Sequence, residues 1–212
     1  NSVNGQPRWN FAALDTATGQ LISTFGPAVG GTSVNGIAVL GDTVYIDGLF
    51  TQANGIARKN FAAFSASNGS LLSWAPTSDL QADALVTEPG GAHIVAAGRF
   101  SQVNDVTQRG LVGLDPTSGA IDTSWAAPNT VINGAGAGSS YEGMAGIFSL
   151  NTDATSVYGT GWSYAPASVG NLEGAFAANA GSGSIRWISD CHGDHYGVYS
   201  TGKTVYTTSH TH

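Results

Sequence analysis

A repeat with a period of about 50 residues limits the fold of this chain more strongly than any other feature of its sequence. Four similar segments read RWNFAALDTATG, RKNFAAFSASNG, QRGLVGLDPTSG and LEGAFAANAGSG, and they begin at Arg8, Arg58, Gln108 and Leu172. The first two intervals are 50 residues each and the last is 64. A second motif keeps step with the first, in TVYIDGLF, HIVAAGRF, SVYGTGW and TVYTTSH. The chain therefore contains four copies of one structural unit, with an insertion before the last copy.

Each unit has room for about four short strands, A to D, at the spacing expected of all-β folds. In the first two units strand A is predicted at 36–40 and 83–87, and strand B at 43–48 and 92–98. Strand C is predicted at 10–15, 60–65 and 110–115, and strand D at 20–25, 70–75 and 120–126. The segment between strands C and D begins with a side chain that can accept a hydrogen bond and ends with glycine. This pattern predicts a type I turn closed by a left-handed residue.

Four-stranded units of this length indicate the blades of a β-propeller, which bury their faces against one another. The composition agrees, since charged residues are only 10% of the chain and glycine accounts for 30 residues. We therefore predict an all-β protein, a single β-propeller segment with about four blades' worth of sequence. The approximate unit boundaries are 8–57, 58–107, 108–171 and 172–212.

The repeat form VYxxGxF…NG…RxxLAALDxxTGxL…W resembles the secreted tandem-repeat β-propeller proteins of bacteria, which are common in actinobacteria. Those proteins are related in fold to kelch and galactose-oxidase-type propellers. The resemblance covers nearly the whole chain. It implies a secreted, extracellular protein, in some cases attached to the cell surface, and it implies no activity. The copper ligands and cross-linked cysteine of galactose oxidase have no matching motif in this sequence.

The sequence does not begin and end at the boundaries of whole units. By comparison with the other repeats, Asn1 comes just after the position of a strand B, and His212 is the last residue of a strand B. Two interpretations stay open: the terminal strands close a ring of about four blades, or the chain belongs to a longer propeller of about six to eight. We favour the second, partly because the single cysteine, Cys191, lacks a partner. A disulfide to a residue outside this chain is its leading interpretation, ahead of a metal thiolate and a Cys–His nucleophile. The resemblance also implies a further cysteine shortly after this segment.

Four of the five histidines lie in the last unit. His192 and Asp194 precede its strand A at 196–200, whereas His210 and His212 end its strand B at 204–212. Residues two apart on a strand point to the same face, and a hairpin of A and B brings the two pairs together. Imidazoles and carboxylates bind divalent cations, so these four residues are predicted ligands of a metal, Zn²⁺ or Ca²⁺. The alternative is a hydrogen-bonded polar cluster without a metal.

One end of a propeller gathers the D–A and B–C loops around the channel, and ligands are expected there. Arg99 and Trp162 occupy the positions of Leu49 and His210 in their own units. Other polar residues stand near the starts of successive A strands. The predicted ligand-binding residues are Arg99, Trp162, His195, Glu142 and Asp83. The insertion at 127–143 is predicted to lie at the same end.

The charge balance excludes one class of partner, since a formal net charge of −7 with only two lysines does not suit binding to nucleic acid. No apolar run is long enough for insertion into a membrane. Three functions remain, of which the weakest is an accessory domain of an enzyme whose active site lies elsewhere in the parent protein. The first is a secreted, non-catalytic binding or assembly module whose partner is a glycan, a cell-wall polymer or another copy of itself. The second is a metal-dependent secreted hydrolase in which His192, Asp194, His210 and His212 hold a metal that activates water.

Overall fold

The computed structural model describes residues 2–210, and antiparallel strands dominate them. The one helical element in this described range is a 3₁₀ turn at Ala127–Asn129. Within residues 2–210 no helix is long and apolar enough to cross a membrane. The strands are β1 (Ser2–Val3), β2 (Gln6–Pro7), β3 (Val29–Leu40), β4 (Thr43–Ala53), β5 (Ile56–Ala57), β6 (Phe61–Ser65), β7 (Ala82–Thr87), β8 (Ile94–Gly98), β9 (Gln102–Val103), β10 (Val106–Thr107), β11 (Leu111–Leu114), β12 (Ala145–Thr152), β13 (Ser156–Ser163), β14 (Gly174–Asn179), β15 (Ile185–Asp190), β16 (His195–Ser200) and β17 (Val205–Ser209).

Three sheets repeat one antiparallel order of strands, with strand B in the middle. The first sheet places β4 between β3 and β6, and the second places β8 between β7 and β11. The third runs β12-β13-β14-β15, and the β16–β17 hairpin has the first two strands of the same pattern. Each sheet thus combines strands A and B of one repeat unit with strand C of the next. The all-β prediction is confirmed.

The inner strands β3, β7, β12 and β16 lie next to one another in chain order. The sheets therefore fan around a common axis, as blades do in a β-propeller. Among the described residues the fan is an arc and does not close into a ring.

The predicted turn between strands C and D is confirmed. The amide of Gly119 donates to the carbonyl of Asp115 at 2.9 Å, and the amides of Thr117 and Ser118 donate to the Asp115 carboxylate. Gly119 has a φ of 75°, in the left-handed region that glycine adopts at no steric cost. The equivalent closing residues are Gly19, Gly69 and Gly183.

Strand D is shorter than predicted in the first two sheets and in the segment that precedes them. The segments at 20–25, 70–75 and 120–126 contribute only the single bridging residues Leu21, Leu71 and Ile121. In two of them a tryptophan turns inward instead, and Trp74 and Trp125 are 2% and 1% exposed. The third sheet keeps a full strand D, β15, and its Trp187 stays 37% exposed. In the first two sheets, a buried indole ring between sheets thus takes the place of the backbone hydrogen bonds that a full strand D would make.

Apolar side chains fill the spaces between successive sheets. Tyr45 of the first sheet packs with Trp74 and with Leu85 of the second. Val95 of the second sheet packs in one cluster with Ile147 of the third. Among residues 2–210 the sheets are held together by such apolar layers and not by ion pairs, which explains the low charge content of the sequence.

Candidate functional site

A β-bulge recurs at one repeat position of each inner strand. The residue at this position, which has no partner on the neighbouring strand B, is Asn35 in β3, Asp83 in β7, Phe148 in β12 and Tyr196 in β16. The four positions are equivalent in the repeat. Bulges redirect side chains at the rims of sheets, so this end of the arc presents one redirected side chain per blade.

A second row of side chains stands beside the bulges, at the ends of the B strands. Its members are Leu49, Arg99, Trp162 and His210. We call the two rows together the bulge belt: Asn35, Asp83, Phe148, Tyr196, Leu49, Arg99, Trp162 and His210.

Arg99 lies at the centre of the bulge belt. Its Nε donates to Oδ2 of Asp83 at 3.1 Å. Its guanidinium carbon is 5.2 Å from the ring centre of Trp162 and 6.0 Å from that of Phe148, within cation–π range. These two rings stack on each other with their centres 3.8 Å apart. The Arg99 side chain is 35% exposed, so a fixed cation faces solvent.

Aromatic contacts continue the belt to the last hairpin. The ring centre of Tyr196 is 5.2 Å from that of Phe148 and 5.4 Å from that of His210. The predicted antiparallel pairing of strands A and B is present here, as β16 and β17. This pairing places His210 beside the loop that precedes β16.

A carboxylate anchors this corner. Nε2 of His210 is 3.3 Å from Oδ2 of Asp194, and the hydroxyl of Tyr164 donates to the same oxygen. Asp194 is 3% exposed, whereas Tyr164 is 54% exposed. The hydrogen bond to the Asp194 carboxylate raises the pKa of Tyr164 to about 12.

The cysteine lies next to a buried histidine. Sγ of Cys191 is 3.0 Å from Nε2 of His195, which is 6% exposed. Nδ1 of His195 has no hydrogen-bond partner in the described part of the chain. Burial lowers the pKa of His195, which favours the neutral ring at neutral pH. The disulfide from Cys191 to a residue outside this chain stays a prediction.

A fully buried acid lies beneath the belt. Asp47 of β4 is 0% exposed, and a hydrogen bond from the backbone amide of Gly36 only partly offsets the burial of its carboxylate. Burial, followed by the charge of Asp83, raises the pKa of Asp47 well above its usual range. Burial also raises the pKa of Asp83, although Gln81 and Arg99 oppose this. The neutral form of Asp47 is therefore favoured under the Arg99–Asp83 pair.

The predicted ligand-binding residues divide into two groups. Arg99, Asp83 and Trp162 lie together in the bulge belt, and His195 immediately precedes Tyr196 of the belt. Glu142 lies apart in the insertion, where its carboxylate accepts from the amide of Gly138 at 2.6 Å.

Sequence reasoning missed Phe148, which occupies the belt position that Glu142 was expected to take. Strand β12 begins only at Ala145, so the inserted residues before it do not reach the belt. Because β12 pairs antiparallel with β13, counting residues back from Trp162 across this hairpin would have identified Phe148. Tyr164 and Asp47 were also missed, since no motif marks them.

The predicted metal ligands are only partly brought together. Asp194 and His210 are in contact, while His192 is exposed in the loop between β15 and β16. His212 lies outside the described residues. Over residues 2–210 no group of three or more His, Cys, Asp or Glu side chains is arranged to hold a metal ion. A zinc site uses at least three protein ligands, and the contact between Asp194 and His210 supplies two.

Comparison with solved structures supports a propeller fold. BamB from Moraxella catarrhalis, a β-propeller, is similar with a TM-score of 0.50 and 15% sequence identity, over 84% of this chain. The chain spans only 44% of the length of BamB. The computationally designed Ika4 protein aligns with a TM-score of 0.47 and 8% identity, over 84% of this chain and 91% of Ika4. No protein-family model and no curated protein sequence matches, and the resemblance to actinobacterial repeat proteins stays a prediction.

Proposed function

We propose that this protein is a secreted or cell-surface, non-catalytic binding module whose ligand face is the bulge belt. The observation that carries the proposal is the Arg99 guanidinium, fixed by Asp83 on one side and by stacked aromatic rings on the other, yet open to solvent. Arginine, tryptophan and tyrosine are the residues on which binding energy concentrates in protein interfaces. A side chain ordered before binding loses little entropy when a ligand arrives.

The chemistry of the belt favours a protein segment with an acidic side chain. Hydrogen bonds among the described residues engage only Nε of Arg99, which leaves both terminal nitrogens for a carboxylate. The ring of Tyr196, 45% exposed, offers an apolar contact beside them. The belt lies at the end of the arc that gathers the D–A and B–C loops, where ligands are expected in a propeller. A glycan or cell-wall polymer is the competing ligand class, since hydroxyl groups also bond to Asp, His and Arg.

Site-specific photo-crosslinking tests this proposal. A benzophenone side chain replaces Tyr196 in the belt or, as the control, Thr117 in a turn at the opposite end of the strands, and each variant is exposed to the surface proteins of the producing cell. We expect one defined protein adduct at position 196, none at 117, and loss of the adduct when Arg99→Gln is added. Equal adducts at both positions, or binding to purified cell-wall glycan that Arg99→Gln removes, would overturn a protein ligand.

The contact between Asp194 and His210 favours a second candidate, the metal-dependent hydrolase. In that case His192 and His212 would complete the ligand set, and a bound metal would supply an activated water. Equilibrium dialysis with Zn²⁺ or Ca²⁺ decides this point, with His210→Ala as the matched variant. One equivalent of metal held by the wild type and lost in the variant would support the hydrolase. If the wild type and His210→Ala bound the same amount of metal, and less than one equivalent, the hydrolase proposal would lose its support.

A further inference from the structure

A cleft beside the loop between strands B and C of the first sheet is lined by two adjacent cations. It has a volume of about 340 Å³, and we call it the basic cleft; its lining residues are Thr51, Ala57, Arg58, Lys59, Ala75 and Thr77. Within residues 2–210 no acidic side chain lines it. The whole chain has a formal net charge of −7, so two cations without an acid make this cleft a place that attracts anions.

The ammonium group of Lys59 is exposed, and it takes part in none of the ion pairs in the described part of the chain. Lys59 also lines two adjoining cavities, of about 310 and 50 Å³, and Asp79 lines both of these with it. The Asp79 carboxylate accepts from the amide and the hydroxyl of Ser101 at 2.8 Å each, and from the amide of Gln102 at 2.9 Å. Three donors thus already engage this acid, and Lys59 keeps its own donors for a ligand.

Arg58 supplies a second cation that is held in place. Its Nη1 donates to the carbonyl of Ala57 at 2.9 Å, and its Nη2 donates to the carbonyl of Leu72 at 3.0 Å. Each terminal nitrogen of a guanidinium carries two hydrogens, so each keeps one N–H for a further acceptor. Because the guanidinium is fixed before a ligand arrives, little entropy is lost when it binds a carboxylate.

The repeat shows that the fold does not require two cations at this place. The Arg-Lys pair at 58–59 corresponds to Arg-Trp at 8–9 in the preceding unit and to Gln-Arg at 108–109 in the next unit. The cation of the next unit is engaged within the protein, because Nη1 of Arg109 donates to the carbonyl of Ser168 at 2.6 Å. A pair of adjacent cations with donors to spare is therefore a feature of one unit, and it points to a ligand rather than to a need of the fold.

The wall of the basic cleft is mainly apolar, since it is formed by alanine and threonine methyl groups and by the carbon stems of the two cations. A phosphate or sulfate ion has no carbon atoms to place against this wall. We propose that the basic cleft binds a short aliphatic carboxylate, with the charge on Arg58 and Lys59 and the carbon chain against Ala57 and Ala75. The cleft contains no residue of the bulge belt, so this site is independent of the ligand proposed there.

Titration of the protein with butyrate, followed by NMR of the alanine methyl groups, tests this proposal. We expect saturable shifts of the Ala57 and Ala75 methyl signals. Lys59→Gln is expected to weaken butyrate binding by about tenfold or more, because a bond between two charged groups is lost. Lys203→Gln is the matched control, since Lys203 lies in the exposed turn between β16 and β17 and does not line the cleft. Both lysines are exposed, so neither change is expected to disturb the fold.

Two further probes separate the charge of the ligand from its carbon chain. Butyramide has the chain without the charge, inorganic phosphate has charge without the chain, and both are expected to bind more weakly than butyrate. Ala75→Leu fills the cleft and keeps both cations, so it is expected to abolish the shift at Ala57. Equal affinity for butyrate and phosphate would mean a general anion site, and equal affinity for butyramide would mean apolar adsorption. Either result, unchanged binding in Lys59→Gln, or the absence of saturable shifts in the wild type would overturn the proposal.

Discussion

Arg99 and Trp162 connect two neighbouring blades, because the guanidinium that follows β8 lies 5.2 Å from the indole ring of β13. Arg99 also bonds to Asp83 within its own blade. One side chain thus joins the second sheet to the third and presents a cation to solvent. The binding that we propose for the belt and the cohesion of the arc therefore depend on the same contact.

Arg99→Ala is expected to lower the free energy of unfolding by about 1–3 kcal/mol, since it leaves the nearly buried Asp83 carboxylate without its cation. Urea unfolding followed by tryptophan fluorescence measures this change. Arg109→Ala is the matched control, because Arg109 bonds only at an exposed site, to the carbonyl of Ser168. The control is expected to stay within about 0.5 kcal/mol of the wild type. Equal losses in the two variants would mean that Arg99 does not hold the blades together.

The Tyr164–Asp194 bond is expected to appear in the alkaline titration of tyrosine. Because the Asp194 carboxylate raises the pKa of Tyr164 to about 12, this phenol ionises later than an ordinary tyrosine near pH 10. Asp194→Asn removes the negative acceptor and is expected to return one phenol to the normal range. Absorbance at the phenolate band follows the change, and Tyr164→Phe identifies the signal. An unchanged titration in Asp194→Asn would contradict the bond.

The sequence predicts the parts of this fold that depend on local chemistry. Asp115 and Gly119 identify a turn because a side-chain acceptor and a left-handed residue are both required there. Trp74 shows where local reasoning stops, since its strand D segment looks extended but breaks to bury the indole between sheets. That choice depends on the neighbouring blade, which a single repeat does not reveal.

The candidate site was predictable in part for the same reason. The repeat position of Arg99 and Trp162 places them at one end of the arc without any knowledge of contacts. Phe148 could not be placed, because the length of the insertion hides where β12 starts. Asp47 could not be identified as buried, because its equivalents in the repeat are Ala97 and two threonines and carry no charge.

An asparagine bracket that recurs between blades is expected to contribute to stability. Oδ1 of Asn104 accepts from the amide of Thr77 at 2.9 Å, and its Nδ2 donates to the carbonyl of Gly119 at 3.0 Å. Asn54 makes the equivalent pair of bonds with Ala28 and Gly69. Asn104→Ala is expected to lower the free energy of unfolding by about 1–3 kcal/mol, since two partners lose their bonds. Asn104→Asp keeps the acceptor oxygen but removes the donor, so we expect an intermediate loss of unfolding free energy. If this variant lost as much as Asn104→Ala or more, the bracket would be contradicted.

Asp47 is expected to make stability depend on pH. Its pKa is near 3.8 in the unfolded chain and is raised in the folded protein by burial and by Asp83. The folded state therefore holds the proton more tightly, and stability falls as the pH rises from about 4 through the raised pKa. Asp47→Asn removes the titration. Its stability relative to the wild type is expected to increase with pH above 4, measured by thermal unfolding from pH 3 to pH 8.

Asp115→Asn provides a control of opposite sign. Hydrogen bonds from the amide and then the hydroxyl of Ser118 lower the pKa of Asp115, so the carboxylate stabilises the fold above its unfolded pKa and loses this effect in acid. This variant is therefore expected to be less stable than the wild type at neutral pH, with the deficit shrinking as the pH falls below 4. If Asp47→Asn and Asp115→Asn changed stability in the same direction with pH, a neutral, buried Asp47 would be excluded.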